Sequence, residues 1–280
     1  MSTNSRFWAD WTTRDFSLAR DAGALAATIA VLPLGATEQH GPHLPLKVDS
    51  ALADGIVQVA ATQLTPDVPA LFLPTQAVGF SPEHAAFPGT LTLKAETLIR
   101  LWTDIAECVA ATGVRKLVLF NTHGGHAGLL DVVARDLRAR LGMLVYCVNW
   151  WALPLIDPEG RDLNEAFSAH EHRFGIHGGA IETSMMLALD AVSVEMQHAQ
   201  NFASSSEARA ESFAILGNGK SAKLAWQTQD YNPAGAVGDA ASANAQTGQA
   251  LVQVAGVSLA TMLAELHRLP LSTVQGKPSF

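Results

Sequence analysis

The sequence predicts an α/β fold, in which amphipathic helices cover a mainly parallel sheet. Short apolar segments rich in β-forming residues alternate with longer segments whose apolar residues recur every three or four positions. Apolar residues make up 48% of the 280 positions, which is enough for a sizeable core. No internal repeat or low-complexity tract divides the chain. We therefore predict a single domain over residues 1–280.

Each predicted element follows from its local pattern. The predicted strands cover residues 28–34, 70–73, 116–120 and 144–148. The predicted helices cover residues 50–64, 95–111, 129–141, 180–189 and 240–267. Gly113 ends the second helix, and Asp239 is the predicted cap of the last helix, which we expect to contain at most one break. Residues 190–238, called the excursion below, interrupt this alternation with serine, glycine and proline turns, and we expect one or two strands within them.

Composition and charge argue against several classes of protein. The net charge is −8 and no lysine or arginine cluster occurs, which argues against a nucleic-acid partner. Charged residues make up only 16% of the chain, so we expect a homo-oligomer with buried interfaces. The uncharged segment at residues 22–36 is too short to span a bilayer, so we predict a core strand, no membrane partner and a cytoplasmic location. Cys108 and Cys147 lie in apolar segments and are predicted to be buried free thiols.

Polar residues with metal-ligand chemistry follow three of the predicted strands. The carboxyl ends of parallel strands meet at one rim of the sheet, where open α/β sheets bind their ligands. The residues delivered there are Glu38 and His40 after the first strand, Asn121 and His123 after the third, and Asn149, Trp150 and Trp151 after the fourth. Carboxylate together with imidazole is the ligand set of zinc, manganese and iron hydrolases. The sequence therefore predicts a metal site at this rim.

The spacing of these residues suits ligands of one cluster. Glu38 and His40 are two positions apart, which in an extended segment places both side chains on one side, roughly 7 Å apart. Asp49 precedes a predicted helix and could cap it, but beside Glu38 and His40 we predict a bridging carboxylate. Two glycines follow His123 and let the backbone turn, so that its imidazole can face an ion.

His177 and Glu182 lie on either side of a glycine pair at a predicted helix start. Glu182 alone would be read as a first-turn acid favoured by the helix dipole, and His177 as a surface turn residue. Beside the other candidates, we predict that Glu182 is a metal ligand within the catalytic site. We predict that His177 carries a proton next to a metal-activated water.

Further residues are predicted around this site. Those expected to orient the ligands are His43, Asn121 and His126. His84 stands in a turn-rich segment that would cover the site, and we predict that it binds substrate. Trp150 and Trp151 are predicted to wall a pocket for a flat substrate, although we expect at least one of them in the core.

With these motifs the chain resembles the creatininase (creatinine amidohydrolase) family. The matching segments are LGATEQHGPHLP at residues 34–45 with Asp49 after it, PEH at 82–84, FPGT at 87–90, NTHGG at 121–125, residues 177–184, and Gly238 with Asp239. The likeness runs from about residue 7 to about residue 266. Together the motifs are specific to the family but not to one substrate.

The resemblance implies a three-layer α/β/α sandwich around a mainly parallel sheet. It also implies a centre of two divalent metal ions, which we expect to be zinc, manganese or iron, and often a hexamer. Glu38, Asp49 and His123 resemble the ligands of one ion. His40 and Asp49 resemble ligands of the other, so that Asp49 bridges, and His177 matches the proton-transfer histidine.

One departure from the family bears on the substrate. Creatininase itself carries a metal-binding glutamate two residues after the ligand histidine, and Gly125 stands at that position here. We predict that Glu182 completes the second ion and that creatinine is a poor substrate. Relatives with the His-Gly-Gly turn include deformylases of ring-opened purine-like intermediates and a peptidase of cofactor maturation.

The predicted activity is that of a metal-dependent amidohydrolase. We expect it to cleave a non-peptide C–N bond of a small cyclic amide or formamide with a metal-activated water. The alternatives are a lactonase or peptidase of the same family, and a metal-binding protein without activity.

Overall fold

The computed structural model describes residues 5–276 and residue 278. Its main sheet has four parallel strands in the order β2-β1-β3-β4. The strands are β1 (Ile29–Leu34), β2 (Ala70–Phe72), β3 (Lys116–Asn121) and β4 (Leu144–Asn149). The four predicted strands are therefore confirmed to within one residue at each end, because each combines a short apolar run with flanking turns.

The register of the sheet brings three strand ends together. Leu34 of β1 pairs with Asn121 of β3, which in turn pairs with Asn149 of β4. The polar residues that follow β1, β3 and β4 consequently start from one rim. All residues of β1 and β3 are buried, as is usual for central strands of a parallel sheet covered on both faces.

Helices cover both faces of the sheet and complete the predicted α/β/α sandwich. The helices are α1 (Thr13–Asp21), α2 (Val48–Gln63), α3 (Ala95–Ala111), α4 (Ala127–Leu141), α5 (Ala169–Phe174), α6 (Ala180–Asp190), α7 (Ser205–Ser212), α8 (Thr228–Tyr231) and α9 (Ala245–Arg268). Ile29 and Val31 face a core formed with α2, α6 and α9. Ala30 and Leu32 face the opposite core, formed with α1, α3 and α4. This alternation follows from the two-residue period of a strand.

The last helix differs from its predicted form at its start. Residues Ala240–Ser242 form a separate 3-10 turn, and the Asn244 side chain caps α9 by accepting hydrogen bonds from the N–H groups of Gln246 and Thr247. The prediction that Asp239 caps this helix is therefore wrong, because the chain turns once more before α9 begins. By length and composition α9 could cross a membrane, but half of that stretch is buried inside the protein. Its contacts with α2 and α6 identify it as a core helix.

The excursion contains helices α7 and α8 and the two-residue strand β5 (Asn201–Phe202). β5 pairs antiparallel with β6 (Gly238–Asp239) at the end of the excursion. One or two strands were expected in this part of the chain, and they are present only as this short pair.

The predicted burial of the two cysteines is wrong. Cys108 and Cys147 are both exposed free thiols. Cys147 lies on β4, which is an edge strand and is only partly covered, and Cys108 lies on the outer face of α3. An apolar neighbourhood in sequence therefore does not report which side of the element faces solvent.

Candidate metal centre

Three acids and two histidines from separate elements converge at the rim of the sheet. Glu38 and His40 lie in the loop after β1, and His123 follows β3. Asp49 and Glu182 lie in the first turns of α2 and α6. Four of the five side chains are almost fully buried, and that of Glu182 is 20% exposed. The structure thus brings together every residue that we predicted as a metal ligand.

The ligand atoms form two groups that share Asp49. In the first group, Nδ1 of His123 lies 3.3 Å from Oε1 of Glu38 and 3.5 Å from Oδ2 of Asp49. In the second, Nε2 of His40 lies 3.7 Å from Oδ1 of Asp49 and 4.0 Å from Oε2 of Glu182. The two oxygens of Asp49 therefore face two different histidines, which is the geometry of a bridging carboxylate.

Helix α2 starts two residues earlier than the sequence predicts, which changes the position of Asp49. Helix α2 starts at Val48, so Asp49 lies inside its first turn and not before it. The N-cap position is held by Lys47, which makes no side-chain cap bond. The earlier start is explained by Val48, which is fully buried and joins the core of α2. The Asp49 carboxylate consequently has no capping role and points into the cluster.

Several ligand atoms of the cluster are buried without a hydrogen-bond partner. They are Oε2 of Glu38, Nε2 of His40 and Oδ2 of Asp49. A buried polar atom left unpaired is costly, and a buried unpaired charge more so, which makes three such atoms in one place unusual. Divalent cations would satisfy all three. The donor set of carboxylate oxygens and imidazole nitrogens fits zinc or manganese.

Hydrogen bonds from the surrounding main chain orient both histidines. Nδ1 of His40 lies 3.0 Å from the carbonyl oxygen of Glu38, and Nε2 of His123 lies 2.8 Å from that of Phe80. A carbonyl only accepts, so each of these nitrogens carries a hydrogen, and in the neutral ring the lone pair is on the other nitrogen. His40 therefore presents Nε2 to the cluster and His123 presents Nδ1, as metal-binding histidines do.

The electrostatics of the cluster favour a cation. Burial acts to raise the pKa of Glu38, but the neighbouring histidines, chiefly His123, outweigh it and hold that pKa well below its usual range. Burial acts to lower the histidine values, but the carboxylates raise the pKa of His40 to about 9 and that of His123 to about 10. The acids thus hold protons on the histidines, and a bound cation would replace those protons.

Residues predicted to orient the ligands support the loop of His123 in two ways. Nδ2 of Asn121 donates to the carbonyl of His123 at 2.7 Å, and its Oδ1 accepts from Nδ1 of His126 at 2.9 Å. Nε2 of His126 accepts from the N–H of Phe80 at 3.1 Å, which holds the loop that orients the His123 ring. His43 acts at a different place, since its Nε2 lies 2.9 Å from the hydroxyl of Thr183 in α6.

His177 lies against the second group of ligands. Its ring stacks on that of His40 with centroids 4.1 Å apart, and its Nε2 donates to the carbonyl of Gln39 at 2.6 Å. Burial holds the pKa of His177 well below its usual value, so the ring is neutral and its Nδ1 can accept a proton. Nδ1 lies 3.8 Å from Oε1 of Glu38, facing the cluster.

Two cavities open onto the cluster. The larger measures about 630 Å³ and is walled by all the candidate ligands except His40, by His84 and by residues 223–227 of the excursion. The smaller measures about 390 Å³ and contains Trp150 and Trp151, and it shares His177 and Glu182 with the larger one. Trp150 is only 4% exposed and belongs to the core, as expected for one of the pair, whereas Trp151 is 42% exposed.

The larger cavity also contains residues that were not predicted, among them Trp226 and Glu83. Trp226 comes from the excursion, which has no periodic pattern that would place it. Glu83 stands beside His84 in the PEH motif at residues 82–84, and a Cβ atom built at Gly125 would collide with its Oε1. Burial raises the pKa of Glu83. The Glu83 carboxylate therefore occupies the space next to the position at which creatininase carries a glutamate.

The sandwich and its buried carboxylate–histidine cluster define an α/β protein with metal-binding residues at the carboxyl rim of its sheet. A family model described as creatinine amidohydrolase matches residues 12–263, and the chain belongs to the creatininase family. The solved structure of a creatinine amidohydrolase (creatininase) superposes with a TM-score of 0.74 at 25% identity and covers 96% of this chain and 100% of that one. A manganese form of creatininase gives 0.73 at 25% identity, covering 95% and 100%.

Two relatives of known activity are similar over part of their length. A mycofactocin precursor peptide peptidase of Mycobacterium tuberculosis is 34% identical over 173 residues, which is 60% of this chain and 61% of the peptidase. The creatinine amidohydrolase of Pseudomonas putida is 30% identical over 179 residues, which is 58% of this chain and 64% of the enzyme. The chain thus matches less than two thirds of the length of either curated relative.

Proposed function

We propose that this protein is a metal-dependent hydrolase that cleaves an amide C–N bond with two divalent ions. The observation that carries this proposal is the convergence of buried, unpartnered ligand atoms on Glu38, His40 and Asp49. Glu38, Asp49 and His123 would hold one ion, and His40, Asp49 and Glu182 the other. The N–H of Gly178 orients Glu182 by donating to its Oε2 at 2.6 Å.

The ions and the side chains around them would have different roles in the hydrolysis. When bound, the ions supply an activated water near neutral pH and positive charge at the substrate carbonyl. His177 would take a proton at Nδ1 and pass it to the leaving nitrogen, since its Nε2–H is held by the carbonyl of Gln39. Its stacking on His40 fixes the ring beside the cluster and so limits the directions of proton transfer.

The substrate class has two candidates. Trp151 at the smaller cavity favours a small flat substrate, such as a cyclic amide or a formamide on a heterocycle. A short peptide is the second candidate, favoured by the 34% identity with a peptidase and by a larger cavity of about 630 Å³, a size that suits a drug-sized ligand. Creatinine is expected to be a poor substrate, because Gly125 supplies no carboxylate.

Metal analysis combined with a substrate panel tests this function. Purified protein should contain two equivalents of divalent ion and hydrolyse one class among cyclic amides, formamides, short peptides and lactones. The Asp49→Asn variant should lose most of the metal, whereas Asp54→Asn, on the exposed side of the same helix, should keep it. Unchanged metal content in Asp49→Asn would contradict the bridging role.

A further inference from the structure

Glu83 is an acid of the larger cavity, and within residues 5–276 its carboxylate forms no close ion pair. Its side chain is 13% exposed, and the nearest cationic group is Nε2 of His123 at 3.8 Å. That nitrogen already donates to the carbonyl of Phe80 at 2.8 Å. In the described part of the chain, no side chain donates a hydrogen bond to the Glu83 carboxylate, which therefore remains available to a ligand.

The surrounding structure holds the main chain of Glu83 in place beside the cavity. Glu83 lies in a 3-10 turn (Pro82–His84), and its carbonyl accepts a hydrogen bond from the hydroxyl of Thr228 at 2.9 Å. A Cβ atom at Gly125 would collide with Oε1 of Glu83, and also with Nε2 of His123 and the carbonyl oxygen of Phe80. The absence of a side chain at residue 125 therefore leaves the space that the Glu83 carboxylate occupies.

The other acids that line the cavity already have a position in the candidate metal cluster or a hydrogen-bond partner. Glu38, Asp49 and Glu182 belong to the candidate metal cluster. Asp230 accepts a hydrogen bond from the N–H of Gln227 at 2.8 Å and so caps α8. Lys223 also lines the cavity, but among residues 5–276 its ammonium forms no ion pair with Glu83.

We propose that Glu83 determines specificity by binding a positively charged group of the substrate close to the scissile carbonyl. This inference rests on the proposed function and adds a substrate class to it. Only the His123 ring separates Glu83 from the candidate cluster, since Nδ1 of that ring lies 3.3 Å from Glu38. An ammonium or amidinium group would form a charge-assisted hydrogen bond there. A neutral substrate would leave a partly buried carboxylate uncompensated, which is the basis of discrimination.

A pair of metal-binding probes that differ by one charge tests the proposal. Glycine hydroxamate and acetohydroxamate both chelate metal ions, but only the first carries an ammonium group. Calorimetry on manganese-loaded protein at pH 7 should show that glycine hydroxamate binds about 10- to 100-fold more tightly, as expected for one hydrogen bond between charged groups. Glu83→Gln should abolish this preference and leave the manganese content unchanged. Asp230→Asn, which removes another acid from the same cavity, should keep the preference.

Several outcomes would overturn the proposal. One is that the wild-type protein binds the two probes equally or binds neither. Loss of manganese in Glu83→Gln, or equal weakening of the binding of both probes, would make Glu83 a support of the metal cluster. Loss of the preference in Asp230→Asn would assign it to the overall charge of the cavity. If the preference depends on Glu83 and no amide is hydrolysed, the proposed function fails while the role of Glu83 stands.

Discussion

Nε2 of His84 lies 3.2 Å from Oε1 of Glu38, and both side chains are buried. On the other side of the ring, Nδ1 lies 2.7 Å from Nε2 of Gln39, which also donates to the carbonyl of Gly235. Because the amide nitrogen only donates, Nδ1 accepts and the proton of the neutral imidazole lies on Nε2, directed at Glu38. Burial lowers the pKa of His84 to about 4, so the ring is neutral. His84 therefore orients Glu38 so that its Oε2 can face an ion.

This contact predicts that His84 contributes to metal affinity, in addition to lining the cavity. His84→Phe keeps the ring but removes the donor, so divalent metal should bind about 10- to 100-fold more weakly, as is typical when a group that orients a ligand is lost. Competition with a chromogenic chelator measures the change. Thr228→Val is the matched control, because it removes a hydroxyl that lies 2.8 Å from Nδ1 but donates to the carbonyl of Glu83, while Gln39 continues to donate to Nδ1. Equal affinity in His84→Phe and wild type would refute the prediction.

His177→Ala should keep the metal and lose activity by about 10²- to 10⁴-fold, the usual contribution of a general acid–base group. The measurements are turnover of the best substrate and elemental analysis of the same preparation. His170→Ala, an exposed histidine nearby in sequence, should leave both unchanged. If metal is lost in parallel with activity, His177 is a ligand, which its grouping with Glu38 and His40 would permit.

Metal affinity should increase with pH. Without a cation the pKa values are about 9 for His40 and about 10 for His123, so both rings are protonated at neutral pH. A metal ion binds only the neutral ring, so each bound ion displaces protons, and affinity rises up to about tenfold per pH unit for each proton released. Calorimetry in two buffers of different ionisation enthalpy measures the number of protons. An affinity that is constant between pH 6 and 8 would disprove this linkage.

Lys116 should contribute to stability through the end of α9. Its Nζ is buried and donates to the carbonyl oxygens of Leu266, His267 and Leu269, at 2.7, 2.9 and 2.7 Å. These carbonyls lie at the helix end, where no intrahelical donor remains. Lys116→Met should lower the free energy of unfolding by about 2–4 kcal/mol, because it leaves these acceptors unpaired in the interior. Urea denaturation measures the loss, and the exposed Lys94→Met should change stability by less than about 0.5 kcal/mol.

The protein should form a homo-oligomer, and the family resemblance suggests a hexamer. Only 16% of its residues are charged, and several large apolar side chains are exposed, among them Val192 at 98%, Ile215 at 65% and Leu216 at 64%. Burial of such side chains between copies of the chain would stabilise an assembly. Light scattering at micromolar concentration gives the mass in solution, and a stable monomer would count against the prediction.

Strand ends and ligand motifs were predictable because their signals are local. A short apolar run followed by a turn identifies a buried strand, and parallel strands place their carboxyl ends at one rim. Glu38 and His123 follow neighbouring strands, so their convergence required only the strand assignment and the parallel sheet. The α/β/α layers followed from the family resemblance and from alternating strands and helices, and the structure confirms them.

Other features depended on packing between distant segments. Gln39 meets Gly235 across 196 positions, and the excursion brings Trp226 to the cavity without any periodic pattern. The exposure of Cys147 depended on β4 being an edge strand, which no local pattern reports. The position of the Glu83 carboxylate depended on the space left by Gly125, which lies in a different turn of the chain.

The sequence by itself determined the strands, the rim and the candidate ligands, because backbone conformation and apolar periodicity are short-range properties. Tertiary structure alone decided which atoms meet and which remain unpaired, because those contacts are set by how the loops pack over the sheet.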